Sequence, residues 1–163
     1  MDTLVYILLI GIGATAVMDL WAIVRKTLFG IPPPNYRMVG RWIAHMSHGQ
    51  FCHNAIAASS PMHGEHVMGW TIHYLTGIAF AAILIVIWGD SWIRDPAIGP
   101  ALVVGIGTVA LPFLLMQPGM GSGIAASRTA NPASARLQSF ITHAVFGFGL
   151  YVSGWALRLF TSM

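Results

Sequence analysis

The chain has 163 residues and a mass of 17.6 kDa, with only 8 Lys or Arg and 5 Asp or Glu. A soluble domain of this length carries about a quarter charged residues, roughly 40. With 56% hydrophobic residues and a mean hydropathy of +0.70, the soluble globular and disordered classes are largely excluded, because so few charges cannot cover a water-facing surface. The net charge of +3 rests on scattered cations that form no basic stripe, which argues against nucleic-acid binding. What remains is an integral membrane protein. Its single cysteine, Cys52, permits no intrachain disulfide.

A bilayer-crossing helix needs about 20 apolar residues. The uncharged apolar stretches therefore predict four spans, near 4–24, 67–88, 98–117 and 138–160, in one all-α membrane domain built as an antiparallel four-helix bundle. In the first span Ala14-Thr15-Ala16 looks like a signal cleavage site, but Asp2 precedes the apolar run and Arg25-Lys26 follow it, the reverse of a secretory leader. The span is read as uncleaved, broken only by Asp19.

The first loop, 25–66, opens on the rigid break Ile31-Pro32-Pro33-Pro34-Asn35. Met38, Val39, Trp42, Ile43 and Met46 then recur at helical spacing, with Arg37, Arg41, His45 and His48 on the other face, which suits an amphipathic helix in the membrane interface. The alternative is an irregular basic loop. Ser60-Pro61 offers a cap and a first helical proline, so the second span is expected to start near Pro61. In the third span Gly105, Thr108 and Pro112 predict a kink.

Six of the eight cations, Arg25, Lys26, Arg37, Arg41, Arg128 and Arg136, fall in or beside the first and third loops, against Arg94 and Arg158 on the other side. This bias predicts those loops in the cytoplasm and both termini outside.

In an up-down bundle the polar residues converge on one face: Asp19 late in span one, Glu65, His66, Trp70 and His73 early in span two, Gln117 ending span three, and Arg136, Ser139 and His143 opening span four. His66 and His73 are seven apart, two turns and about 10 Å along one face, as are Arg136 and His143. Asp19, His73 and His143 are therefore expected to be level inside the bundle, where an ionisable group is costly unless it is paired or hydrated.

Two imidazoles and a carboxylate suit Zn, Fe or Mn, so the leading expectation is a metal site on Asp19, His73 and His143 with His66 or Glu65 as a further ligand. A second version holds a b-type haem between His73 and His143, with Gly77 and Gly147 admitting the macrocycle. Arg136 would hold an anionic substrate or lipid head group, with Glu65, Trp70, Gln117 and Ser139 lining the cofactor pocket. From another class comes a proton-coupled transporter or relay in which Asp19, His73 and His143 titrate, although the opposite halves of the spans are apolar and a single protomer shows no continuous path. The plain alternative is a structural knot of interhelical bonds. The glycine-rich run Gln117-Pro118-Gly119-Met120-Gly121-Ser122-Gly123 could present amides to a phosphate, or serve only as a turn. Partners are the lipid bilayer and, because four spans make a thin bundle, a second copy.

The run Gly40-Arg41-Trp42, Gly49-Gln50-Phe51 with His53, Glu65-His66, Gly69-Trp70, His73-Tyr74 and Gly77, then Gln117-Pro118-Gly119, Arg136 and His143, resembles a bacterial family of small membrane proteins, the domain of unknown function numbered 2938. The resemblance extends from Asp19-Leu20-Trp21 to Phe146-Gly147. It implies an inner-membrane protein of about four spans and transfers no activity and no catalytic residue.

Overall fold

The structure, a computed structural model, describes residues 2–161, and every regular element among them is helical. Four helices are long and apolar enough to cross a membrane: Thr3–Phe29, Glu65–Trp88, Ile98–Gly119 and Pro132–Phe160. Each contains one of the stretches expected to span. In chain order the helices are α1 (Thr3–Phe29), α2 (Tyr36–Met46), α3 (Glu65–Trp88), α4 (Asp90–Arg94), α5 (Ile98–Gly107), α6 (Gln117–Gly119) and α7 (Pro132–Thr161).

Local chemistry sets their ends. Helix α1 continues past Arg25-Lys26 until Gly30, whose φ of 66° only glycine adopts cheaply, and the Gly30 and Ile31 amides close on the carbonyls of Lys26 and Arg25. Helix α3 starts at Glu65, not near Pro61, because Gly64 at φ 73° is incompatible with a helix. The Met62 amide donates to Glu65 Oε2 at 2.9 Å, so Glu65 caps its own helix start. Between α5 and α6 the third span is not a simple α-helix: Pro112, which has no N–H, opens a π-helical turn over Pro112–Met116. Helix α7 opens with Pro132 after Asn131, whose side chain accepts the Ser134 amide at 3.1 Å.

The chain forms two compact units. The first comprises the residues up to Pro33, Tyr74–Thr108 and those from Ile141 on; the second comprises Pro34–His73 and Val109–Phe140. In the first, Ile10, Ala14, Ala81, Leu84, Ala101 and Leu150 are fully buried. The helices approach through small residues: a Cβ on Gly149 would lie 2.9 Å from Ala14 Cα, and one on Gly147 2.8 Å from the Ala101 carbonyl oxygen. The outer faces remain apolar, with Val86 81% and Leu28 69% exposed, as suits hydrocarbon and not water. Around the 88–97 connection, Thr3 donates to Asp90, the Trp92 and Trp155 indoles donate to the Ala97 and Pro96 carbonyls, and Arg158 pairs with Asp95 at 2.6 Å. Tryptophans with the indole N–H engaged by a polar connection suit a membrane–water boundary.

In the second unit α2 forms where the periodicity places it, but its Arg41 face does not point to water. Arg41 is buried against Glu65 at the start of α3, because Gly40 and Gly69 let the two helices touch backbone to backbone. The first loop is laced to the third by main-chain bonds, His53 N–H to Gly119 O at 2.8 Å and Ile56 N–H to Met120 O at 3.0 Å. Trp42 lies over Gly119 and donates to the Phe51 carbonyl at 2.8 Å.

Candidate functional site

In the first unit two titratable groups within spanning helices each meet a hydroxyl on another helix. Asp19 of α1 accepts the Tyr74 phenol of α3 at 3.0 Å. His143 of α7 places Nδ1 3.0 Å from Thr108 Oγ1 and 3.3 Å from the Gly105 carbonyl, at the end of α5. Thr108 donates its own proton to that same Gly105 carbonyl at 2.6 Å. With Thr108 donating to Gly105, the arrangement suits the tautomer with the hydrogen on Nδ1, in which both neighbours accept from the ring. Also in this unit Arg25 is 5% exposed, with Nη1 3.4 Å from Thr142 Oγ1 and Nη2 3.4 Å from the Pro32 carbonyl.

The second unit holds a different kind of charge cluster. Glu65, 3% exposed, accepts Arg41 Nε at 2.8 Å and Arg41 Nη2 at 3.0 Å, a two-pronged pair, and also accepts Arg37 Nε. Arg41 Nη1 reaches on to the Ser59 carbonyl at 3.0 Å. The hydrogen bonds to Glu65 raise the Arg41 guanidinium above its ordinary pKa, against the pull of burial, so it stays cationic at any working pH. With the Met62 amide included, the carboxylate is saturated, and it ties α2, the 57–59 turn and α3 together.

Among the described residues, no three His, Cys, Asp or Glu side chains gather in a way that could hold a metal ion. No such group includes Asp19, His66, His73 or His143, and each has surroundings of its own. Asp19 is engaged by Tyr74, His143 by Thr108, and His66 is exposed. His73 stacks on Tyr36 with ring centres 4.0 Å apart, beside Trp70 at 5.8 Å.

Of the other residues expected to line a pocket, Gln117 is half-buried, with Oε1 buried and unbonded. Ser139 donates to the Ala135 carbonyl of its own helix, and Arg136 Nε donates to the Ala125 carbonyl at 2.8 Å. The glycine-rich turn spends its amides on itself: Gly121, Ser122 and Arg128 donate to Pro118, Gln117 and Ser122. Its strain lies one step on, where Ala125 and Ala126 both take positive φ, 47° and 58°.

Residues missed in the sequence include Tyr74 and Thr142, each one position from a histidine singled out as a ligand, and His53. The His53 ring is buried, with Nδ1 2.9 Å from Ser59 Oγ and its edge-to-face neighbour His45 at 5.0 Å. A burial pattern in α2 would have been needed to find it. No curated protein and no solved structure matches the chain. A family model does match, described as "Protein of unknown function (DUF2938)", over residues 8–157. That match reaches into all four candidate spans and takes in Asp19, Glu65 and His143 with their partners, and the chain belongs to this family.

Proposed function

We propose that the protein handles protons in a bacterial inner membrane, as a relay or as part of a proton-coupled transporter. Its titratable stations are Asp19 with Tyr74 and His143 with Thr108. The observation that carries the reading is the Asp19–Tyr74 bond of 3.0 Å between two spanning helices. A carboxylate at such a depth is expensive to keep, and a phenol hydrogen-bonded to it is both its stabiliser and a group through which a proton can pass. His143, whose Nδ1 faces Thr108 and the Gly105 carbonyl, is a second titratable station. The irregular third span, with its π-helical turn at Pro112–Met116, resembles in principle the broken spans that frame polar sites in membrane transporters. The helices are read as an antiparallel bundle, supported by the Thr3–Asp90 and Arg158–Asp95 contacts. The first and third loops are assigned to the cytoplasm, supported by the six-to-two cation bias. Because the opposite halves of the spans are apolar, a second copy is the partner proposed to complete a path. Proteoliposomes carrying an internal pH dye test the reading: an imposed gradient should dissipate faster than in empty vesicles, and Asp19→Asn should remove the difference. Equal rates in the two proteins would refute it.

One observation favours a second reading. A histidine that ligates a metal or haem through Nε2 commonly donates Nδ1–H to a carbonyl, as His143 does to Gly105. Under that reading His143 holds Zn, Fe or a b-type haem through Nε2. Stoichiometric metal or a Soret band in purified protein, lost in His143→Ala, would support it; the absence of both would dismiss it.

A further inference from the structure

A pair of histidines outside the spanning helices takes no part in the proton relay. His45 lies near the end of α2 and His53 in the loop that follows, both in the second unit. Their rings meet edge to face, with centres 5.0 Å apart and planes at 70°. Each ring has one nitrogen held by an oxygen. His45 Nε2 is 3.0 Å from the Ser60 carbonyl. A carbonyl only accepts, so this contact calls for the hydrogen on Nε2 and leaves the lone pair of the neutral ring on Nδ1. His53 Nδ1 is 2.9 Å from Ser59 Oγ, a hydroxyl able to accept from it. The other ring nitrogen, His53 Nε2, is buried without a hydrogen-bond partner, in a residue only 8% exposed. Orphaned buried polar atoms are rare in proteins. The segment that carries this one is pinned on both sides: the His53 amide donates to the Gly119 carbonyl at 2.8 Å, and Arg41 Nη1 donates to the Ser59 carbonyl at 3.0 Å.

We infer that His45 and His53 form a binding site for a soft monovalent metal ion, Cu(I), with His45 Nδ1 and His53 Nε2 as its protein ligands. A histidine that ligates through one nitrogen commonly donates its other N–H to an oxygen, and an oxygen stands at the second nitrogen of both rings. Two imidazoles bound to one ion at about 2 Å, with trigonal or tetrahedral angles between them, hold their ring centres about 5 Å apart. The pair already has that separation. Among the described residues no third His, Cys, Asp or Glu gathers with them, so the donor set is neutral. A divalent ion would keep two uncompensated charges beside a buried ring, whereas a monovalent ion that is content with few imidazole ligands costs far less. His45 is half-buried, so the pair is not sealed from solvent.

The test is an anaerobic competition titration of the full chain, in nonionic detergent, against the coloured Cu(I) complex of bicinchoninate. The exposed thiol of Cys52 is itself a Cu(I) ligand, so every protein compared carries Cys52→Ser. One Cu(I) per chain should be withdrawn from the dye. His45→Ala and His53→Ala should each weaken that withdrawal more than tenfold, and Ser59→Ala, which leaves both ligands and removes the oxygen behind one of them, about tenfold. His143→Ala should leave it unchanged, which separates this site from a metal held in the spans. No withdrawal at one equivalent, unchanged affinity in both His45→Ala and His53→Ala, or a loss confined to His143→Ala would each overturn the proposal. Zn(II) bound at the same residues as tightly as Cu(I) would overturn the choice of a monovalent ion. If His53→Ala does not fold, the half-buried His45→Ala decides by itself.

Discussion

At the residue scale the two ionic centres do different work. Glu65 accepts from both arginines and from the Met62 amide while nearly fully buried, so removing it leaves Arg41 as a buried, uncompensated cation. Arg37, 54% exposed, is the dispensable partner. Glu65→Ala is therefore expected to lower the melting temperature in detergent far more than Arg37→Ala. Equal effects would show that the pair at Arg41 is not the anchor. Tyr74 is a milder case. Losing its hydroxyl removes one interhelical bond to Asp19, and Tyr74→Phe should cost roughly 0.5–1.5 kcal/mol, the range of such bonds in membrane proteins. A chemical-denaturation series on the two proteins reads this directly.

At the element scale, glycines decide which helices can meet. A Cβ on Gly40 would overlap the Glu65 carbonyl oxygen and come within 2.6 Å of the Gly69 nitrogen, both on the backbone of α3. Gly40→Ala should thus push α2 off α3 and make 36–60 more sensitive to limited proteolysis; an unchanged digestion pattern would contradict the contact. The four long helices were legible from gaps between charges alone, because a lipid-facing helix must be apolar over its full length. Helix α2 was legible from its period. The inward turn of its Arg41 face was not, since nothing in the spacing of residues 41 and 65 announces an ion pair across 24 positions. Likewise Asp19, His143 and Pro112 stood out as polar or helix-breaking interruptions, but the partners of Asp19 and His143 did not. Tyr74 lies one residue, about 100° of helix rotation, from His73, and only the rotation of α3 against α1 decides which of the two meets Asp19.

At the scale of the whole molecule, sidedness and activity are coupled claims. Cys52 is exposed and lies in the first loop, so with that loop in the cytoplasm it should resist an impermeant thiol reagent added to intact cells and react once the membrane is opened. Rapid labelling of intact cells would reverse the assignment and the side from which protons reach Asp19. The central claim is that Asp19 and its phenol partner carry protons and are not merely a lock between α1 and α3. The most direct measurement pairs proton flux in proteoliposomes with thermal stability, on wild-type and Asp19→Asn protein from the same preparations. The relay predicts dye-reported flux above empty vesicles in the wild type, lost in Asp19→Asn while the melting temperature stays close to that of the wild type. Wild-type flux no greater than in empty vesicles, with a melting temperature that falls sharply in Asp19→Asn, would contradict it and leave the pair a structural bond.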